Sequence, residues 1–383
     1  MELSSEFDKE CYYVLLTSKK TSNVNIDGEK DFEEIHVKVK KKSIYEFIIG
    51  KDMNIIKILK NNQEISGGDN KKDDANDTQK KEVPDGWIGV YTEEELINIS
   101  NDLNASYILM ANIKITKSWN TIGNKDVQFN GIFDGNYYTI SNLYISSTTE
   151  DYKGLFGYIG ENGKVCNLTI STSNAYTTSG VKGGSYVGLL AGCNKGTIEN
   201  VKVSGLIVLE NYGTKSAYKE SVGGLVGCNR DSGKIEKSIS SVSIVINTSA
   251  SSAAGRYYQY IGGLVGKNFK GNIEKSTATG IVYGTATGDL YIGGLIGQTA
   301  NTKIENTYTI SEVIGKEYIG GLVGKNDTAG TSVKNSYWTI EKSGCTRSAA
   351  GTVLEDMSIQ SNYVDWDFDT IWHMENGYPK LNN

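Results

Sequence analysis

A chain of 383 residues with 38% apolar content can bury a sizeable core, as two or three ordinary domains or as one elongated solenoid, which excludes wholesale disorder. Its 44 glycines, 24 tyrosines and only two prolines exclude collagen, which needs a strict glycine period with abundant proline, and favour many short strands joined by tight turns. A net charge of -6 with scattered lysines argues against a nucleic-acid partner, which selects a concentrated basic face.

The opening residues MELSSEFDKE lack a basic start followed by an apolar run, and the longest apolar stretches fall far below the roughly 20 residues that cross a bilayer. The expectation is a soluble chain without membrane insertion, whose export signal and wall anchor, if it is secreted, lie outside it. Five cysteines are too few for a disulfide scaffold, and an odd number leaves one unpaired. Residues 1–63 read as a small β module: in IHVKVKKKSIYEFIIG, Ile35, Val37 and Val39 alternate with His36, Lys38 and Lys40, the pattern of a half-buried strand. Residues 64–86 alternate charge with Gly and Asn and read as a flexible linker. In TEEELINISNDL, Thr92 is a helix cap with Glu95 three places on, ahead of Leu96, Ile97, Ile99 and Leu103, so one short capping helix is expected. YILMANIKIT and FNGIFDGNYYTISNLYI return to strand spacing, with Asp134-Gly135 marking a turn, and residues 87–153 form an N-terminal cap and first coils.

From 154 to 336 a glycine-flanked apolar octet dominates, written IGGLVGKN at 261–268 and again at 319–326. Its closing glycine falls at Gly157, Gly192, Gly227, Gly266, Gly297 and Gly324, at spacings of 35, 35, 39, 31 and 27 residues. A variable period around a fixed motif means one structural unit per copy, with the length differences absorbed in loops on one side. Each octet is followed by a polar turn and a second motif: TIENVKVSG, KIEKSISSV, NIEKSTATG, KIENTYTIS and SVKNSYWTI. Two or three short strands per unit, with no room for a crossover helix, suit one rung of a parallel β-solenoid. The Gly-Lys pair is no phosphate loop, because Gly262 precedes Gly266 by only four positions and Asn268 stands where a hydroxyl is required.

In such a coil equivalent positions stack about 4.7 to 4.9 Å apart, so the sequence is best read in columns. Val187, Val222, Ile261, Ile292 and Ile319 form an inward β-branched column. Asn194, Asn229, Asn268 and Asn326 form a structural ladder of stackable amides, interrupted by Thr299. Glu199, Glu236, Glu274 and Glu305, with Lys334 last, make an acidic column that is either a strip for cations or a solvated face relieved by lysines such as Lys202, Lys237 and Lys275; the solvated face is favoured. Tyr186, Tyr260, Tyr291 and Tyr318 precede the inward column, so alternation turns them outward as an exposed aromatic row, interrupted by Ser221, that could stack on sugar faces or anchor a protein. Cys193 and Cys228 share a column at disulfide-compatible separation, with free stacked thiols the favoured reading.

With only His36 and His373, and without an HExxH pair, a GxSxG elbow or a Cys-x-x-Cys, no catalytic residue, metal ligand or cofactor is assigned. The acidic cluster Asp365–Asp369 fits no EF-hand loop and belongs to a C-terminal cap, 337–383, in which Trp366, Phe368 and Trp372 are expected to close the open apolar end of the coil.

The octets, here GLFG, GGLVG and GGLIG, resemble the GLUG repeat, and the flanks FNGIFDGNYYTISNLYI and WDFDTIWHMENGYPKL resemble those of proteins that carry it. The resemblance covers about 87–383 and implies an all-β, right-handed parallel β-helix exported by bacteria, of the kind found in adhesin-like surface proteins and as an accessory region of immunoglobulin-A-cleaving metalloproteases. The expected function is a non-catalytic, secreted or cell-surface adhesion module that binds a host glycan or surface protein, as a monomer or as part of a larger surface protein. The alternative is a polysaccharide lyase or glycoside hydrolase on the same coil. A third possibility, an ice-binding face at Thr277 and Thr307, lacks support from the other units.

Overall fold

The computed structural model describes the strands of 34–67 in their backbone course, and residues 82–382 apart from 146–150, 173–175, 180–185, 211–218, 248–257, 286–288, 317 and 328–329. Two compact units meet in the chain near residue 75. The first holds an antiparallel meander of four strands, Glu34–Lys40, Ile44–Gly50, Ile55–Lys60 and Gln63–Gly67, paired in chain order. Its last strand reaches four residues into the expected linker, most of which lies outside the described residues.

The second unit is a parallel β-helix. Three kinds of strand recur in each coil, and each pairs in parallel with its own kind in the next. We name them by their most telling column. The tyrosine sheet runs from Tyr152–Lys153 through Tyr186–Val187, Lys219–Gly223, Tyr258–Gly262 and Asp289–Gly293 to Ile319–Gly320. The asparagine sheet runs from Phe156–Ile159 through Ala191–Asn194, Val226–Arg230, Val265–Phe269 and Ile296–Ala300 to Val323–Asn326. The glutamate sheet is the longest, a ladder from Ile88–Val90 to Thr352–Val353 that includes Lys164–Ser171 and Thr197–Glu210. The closing glycines fall between register partners such as Val226↔Val265 and Cys228↔Lys267, so they lie one above another.

The inward column is as the sequence indicates for Val187, Val222, Ile261 and Ile292, which are at most 1% exposed and belong to one continuous core, while Ile319 in the last coil is partly buried against it. Each such side chain contributes about 1.5–3 kcal/mol relative to exposure. That exceeds the roughly 1 kcal/mol net of a single hydrogen bond, so the apolar columns set the fold and the polar ones refine it. Two glycines show why the octet is written as it is. A Cβ on Gly266 would fall 2.5 Å from Val222 N and 2.8 Å from Gly227 O, because at this position the asparagine strand bends back onto the tyrosine strand of the preceding coil. A Cβ on Gly263 would meet Gly294 O at 2.2 Å and Ala278 Cβ at 2.9 Å, where the octet crosses the small side chains of the glutamate sheet.

The expected helix forms over Glu93–Asn98 and continues as a single 3-10 turn, Ile99–Asn101. Its capping box is complete, with Glu95 N–H donating to Thr92 Oγ1 at 3.2 Å and Thr92 N–H to Glu95 Oε2 at 3.0 Å. Leu96 and Ile99 are buried, but Ile97 is 47% exposed.

The C-terminal aromatics do not close the open end. Trp338, packed on Gly321, does so together with Cys345 and Ala350. Trp366, Trp372 and Tyr363 form a separate cluster with Tyr308, Tyr337, Ile239 and Ile310. The tail is thus a lateral flap on the outer face of the glutamate sheet. The physical reason lies in those outward positions, which carry Ile239, Tyr308 and Tyr337, with Thr277 among them, where the flap sits; earlier coils carry Thr139, Thr169 and Lys202 in the same column.

Candidate functional site

Three surface columns and their corners carry the chemistry. The tyrosine column stacks in register, but its middle is not exposed. Tyr260 is 2% exposed and lies 5.7 Å from Tyr291; Tyr291 is 9% exposed and lies 4.7 Å from Tyr318. Tyr186 is half-buried and stacked on Tyr152 at 5.1 Å, and Tyr318, at the end of the row, is 42% exposed. The expectation of an open aromatic row is corrected for Tyr260 and Tyr291. All four rings do stand outside the main core, yet stacking at one-strand spacing covers their faces, and the bend at Gly266 folds the next strand against their edges. Lys267 Nζ sits 5.6 Å from the Tyr260 ring centroid and Lys325 Nζ 4.6 Å from that of Tyr291.

The asparagine ladder is real over three coils. Asn194 Nδ2 donates to Asn229 Oδ1 at 2.8 Å, and Asn229 Nδ2 to Asn268 Oδ1 at 2.9 Å, all three residues being fully buried. Each amide also donates to a turn carbonyl of its own coil: Gly196, Gly233 or Gly271. Asn268 then donates to Thr302 Oγ1 at 2.6 Å, while Thr299 and Asn326 leave a hydroxyl and an amide oxygen without partners. Asn326 therefore does not continue the ladder.

The acidic column is an ion-pair strip. Glu199 meets Lys164 at 2.9 Å, Glu236 meets Lys234 at 2.5 Å and Lys275 at 3.0 Å, Glu274 meets Lys303 at 3.7 Å, and Glu305 meets Lys303 at 2.6 Å. Of the lysines expected to relieve it, Lys275 does; Lys164, Lys234 and Lys303, two residues before the Glu position in their strands, supply the rest. At Glu236 burial opposes ionisation, but hydrogen bonds from Lys234 and Lys275 outweigh it and hold the carboxyl below its ordinary range.

Two further columns escaped the sequence reading. The residue after the acidic position takes a left-handed conformation in six successive coils, at Asn167, Asn200, Lys237, Lys275, Asn306 and Asn335, with φ between 46° and 53°. Here Asn200 donates to Asn167 at 2.9 Å and Asn167 to Asp134 at 3.2 Å, a second short ladder. The recurring Asn in IEN and VKN was its signal. One residue further on, Ser238, Ser276 and Ser336 turn hydroxyls to the main-chain N–H of Val201, Ser238 and Thr307 in the preceding coil. Cys193 and Cys228 are buried free thiols on paired strands, beside Tyr158.

Residues 257–283, one octet with its following strand, match the family model described as the GLUG motif. The chain carries a GLUG motif at this place. Among curated relatives, a protein of Evansella cellulosilytica provisionally named Gly-rich membrane protein is 33% identical over 76% of this chain and 44% of its own length. Halomucin of Haloquadratum walsbyi is 34% identical over 77% of this chain and 3% of its own. The chain thus spans less than half of the first relative and a small fraction of the second. Among solved structures, a protein of Bacteroides ovatus provisionally assigned as an immunoglobulin A1 protease superposes with a TM-score of 0.53 at 18% identity, over 76% of this chain and 91% of that one. At that identity the likeness establishes the coil shared with this GLUG-motif chain. Among the described residues no helix is long and apolar enough to cross a membrane.

Proposed function

We propose that this chain is a non-catalytic adhesion or ligand-binding rod of an exported surface protein, holding one flank toward a glycan or a protein of a host surface. The observation that carries the reading is the engagement of the acidic column: each of its four carboxylates is already held by a lysine amine, so the strip is spent on stiffening the coil. The names of the relatives, one a Gly-rich membrane protein and one Halomucin, support a surface setting. The protease assignment belongs to the Bacteroides protein and is not carried over. Tyr318 is the most accessible ring of its column and the best placed to stack on a sugar or an apolar partner surface. The test incubates the full chain with polysaccharide and host glycoprotein panels, following retention, new reducing or unsaturated ends, and new peptide termini. Retention without products, weakened by Tyr318→Ala, is expected. Product formation with turnover overturns the reading in favour of an enzyme.

A further inference from the structure

Ser221 stands where the tyrosine column lacks a ring, stacked by register between Tyr186 and Tyr260. It is fully buried, and its hydroxyl has no hydrogen-bond partner. Added Cβ atoms locate the neighbouring lip: on Gly227 one would touch Val187 N and Tyr186 C, and on Gly266 Val222 N and Ser221 C. Gly227, next to Cys228, therefore lies against the Tyr186–Val187 strand, and Cys228 packs in one cluster with Cys193, Tyr158 and Tyr186.

Cys193 is the register partner of Cys228 on the adjacent parallel strand. One strand spacing, about 4.8 Å, lies inside the separation of about 4.4–6.8 Å between Cα atoms that a disulfide spans. The two sulfurs are linked by a relay in which the Tyr158 hydroxyl donates to Cys193 and Cys193 donates to Cys228. The hydrogen bond from Cys193 is the main influence lowering the Cys228 thiol; burial opposes it, the cations Lys267 and Arg230 assist, and Asp231 works against them. The contrast with the other described thiols is plain. Burial pushes Cys166 up to about 12 and Cys345 up to about 11.

We propose that Cys228 and Cys193 form a thiol–disulfide exchange site that takes a small disulfide of the glutathione type and closes into a cross-link between adjacent coils. The Cys228 thiolate attacks one sulfur of the small disulfide; that S–S bond breaks, and the departing thiolate takes up the proton Cys228 released. Cys193 then loses its proton and attacks the Cys228 sulfur of the mixed disulfide, expelling the second small thiol, which takes that proton. Two protein thiols are oxidised and one small disulfide is reduced to two thiols. Ser221 leaves its place in the column, in the coil that carries Cys228, without the ring that the flanking coils hold there.

Oxidised glutathione added to the full chain tests this, read by non-reducing peptide mapping. The expected product joins the Cys193 and Cys228 peptides and reverts with a reductant. Cys193→Ser is expected to hold one glutathionyl group on Cys228, whereas Cys228→Ser leaves Cys193 reduced, and Ser221→Tyr slows the reaction about tenfold or more. A measurement that needs no variant is alkylation of the folded wild type, with Cys228 expected to react at least about tenfold faster than Cys166 or Cys345. Equal alkylation rates at the three, or failure of the cross-link to form in protein that stays folded, overturns the proposal.

Discussion

Replacing Asn229 with Ala removes the middle of the buried amide ladder. Asn229 accepts from Asn194 and donates to Asn268 and to the Gly233 carbonyl. Two of those partners have other bonds to fall back on: Asn194 keeps the Gly196 carbonyl, and the Gly233 carbonyl keeps the Asn272 N–H. Asn268 Oδ1 loses the donor that satisfies it in a fully buried setting. An orphaned buried acceptor costs about 1–3 kcal/mol, and the other lost bonds about 1 kcal/mol, so Asn229→Ala is expected to cost about 3 kcal/mol. Asn326→Ala removes an amide whose oxygen has no partner in a half-buried position, and is expected to cost less than about 0.5 kcal/mol. Urea unfolding of both variants against wild type measures the difference. Because stacked repeats can melt locally, amide hydrogen exchange in the Val226–Arg230 strand should accompany it. Equal costs for the two variants would falsify the ladder as a source of stability.

Thr299→Asn, placed between Asn268 and Asn326, supplies an amide to the unpaired Asn326 oxygen; a gain of about 1 kcal/mol in the same unfolding assay is expected, and a loss shows that the site lacks room. Glu236 has a folded pKa below its ordinary value of 4.5, so its contribution is present above that value and fades as pH falls through the lower folded one. Glu236→Gln is therefore expected to destabilise by about 1 kcal/mol at neutral pH and to flatten the loss of stability below about pH 4.5, measured as thermal midpoint against pH. Gly266→Ala, whose new methyl meets the backbone of the preceding coil at Val222 and Gly227, should cost about 2–3 kcal/mol or more by urea midpoint. Trp372→Ala should free the lateral flap, giving rapid proteolysis within 354–382 while the far-UV signal of the coil persists.

Columns were legible in the sequence because stacking turns a repeat into a vertical neighbour: Val222 above Val187, and Asn229 above Asn194, follow from alignment alone. The burial of Tyr260 and Tyr291 was not, since it depends on two outer faces touching across the bend at Gly266, a contact that alternation along a single strand does not encode. Placement of the C-terminal aromatics failed for a related reason. A Trp that seals an end and one that covers a side look alike in sequence, and the discriminating residues were Ile239, Tyr308 and Ile310 on the distant seat. The left-handed corner was half legible: Asn200 and Asn306 announce it, whereas Lys237 and Lys275 adopt the same φ without the residue type that favours it.

Most of the variation in repeat length meets the fixed register at one place, with a smaller share in the turn from the asparagine strand to the glutamate strand. Strand ends and restarts bracket 211–218, 248–257, 286–288 and 315–318, always between a glutamate strand and the next tyrosine strand. Growth or trimming there leaves every hydrogen-bonded storey where it was. Peptides grafted into successive brackets would emerge as a file whose pitch the backbone dictates, which makes that margin the natural place for diversification and for engineered display.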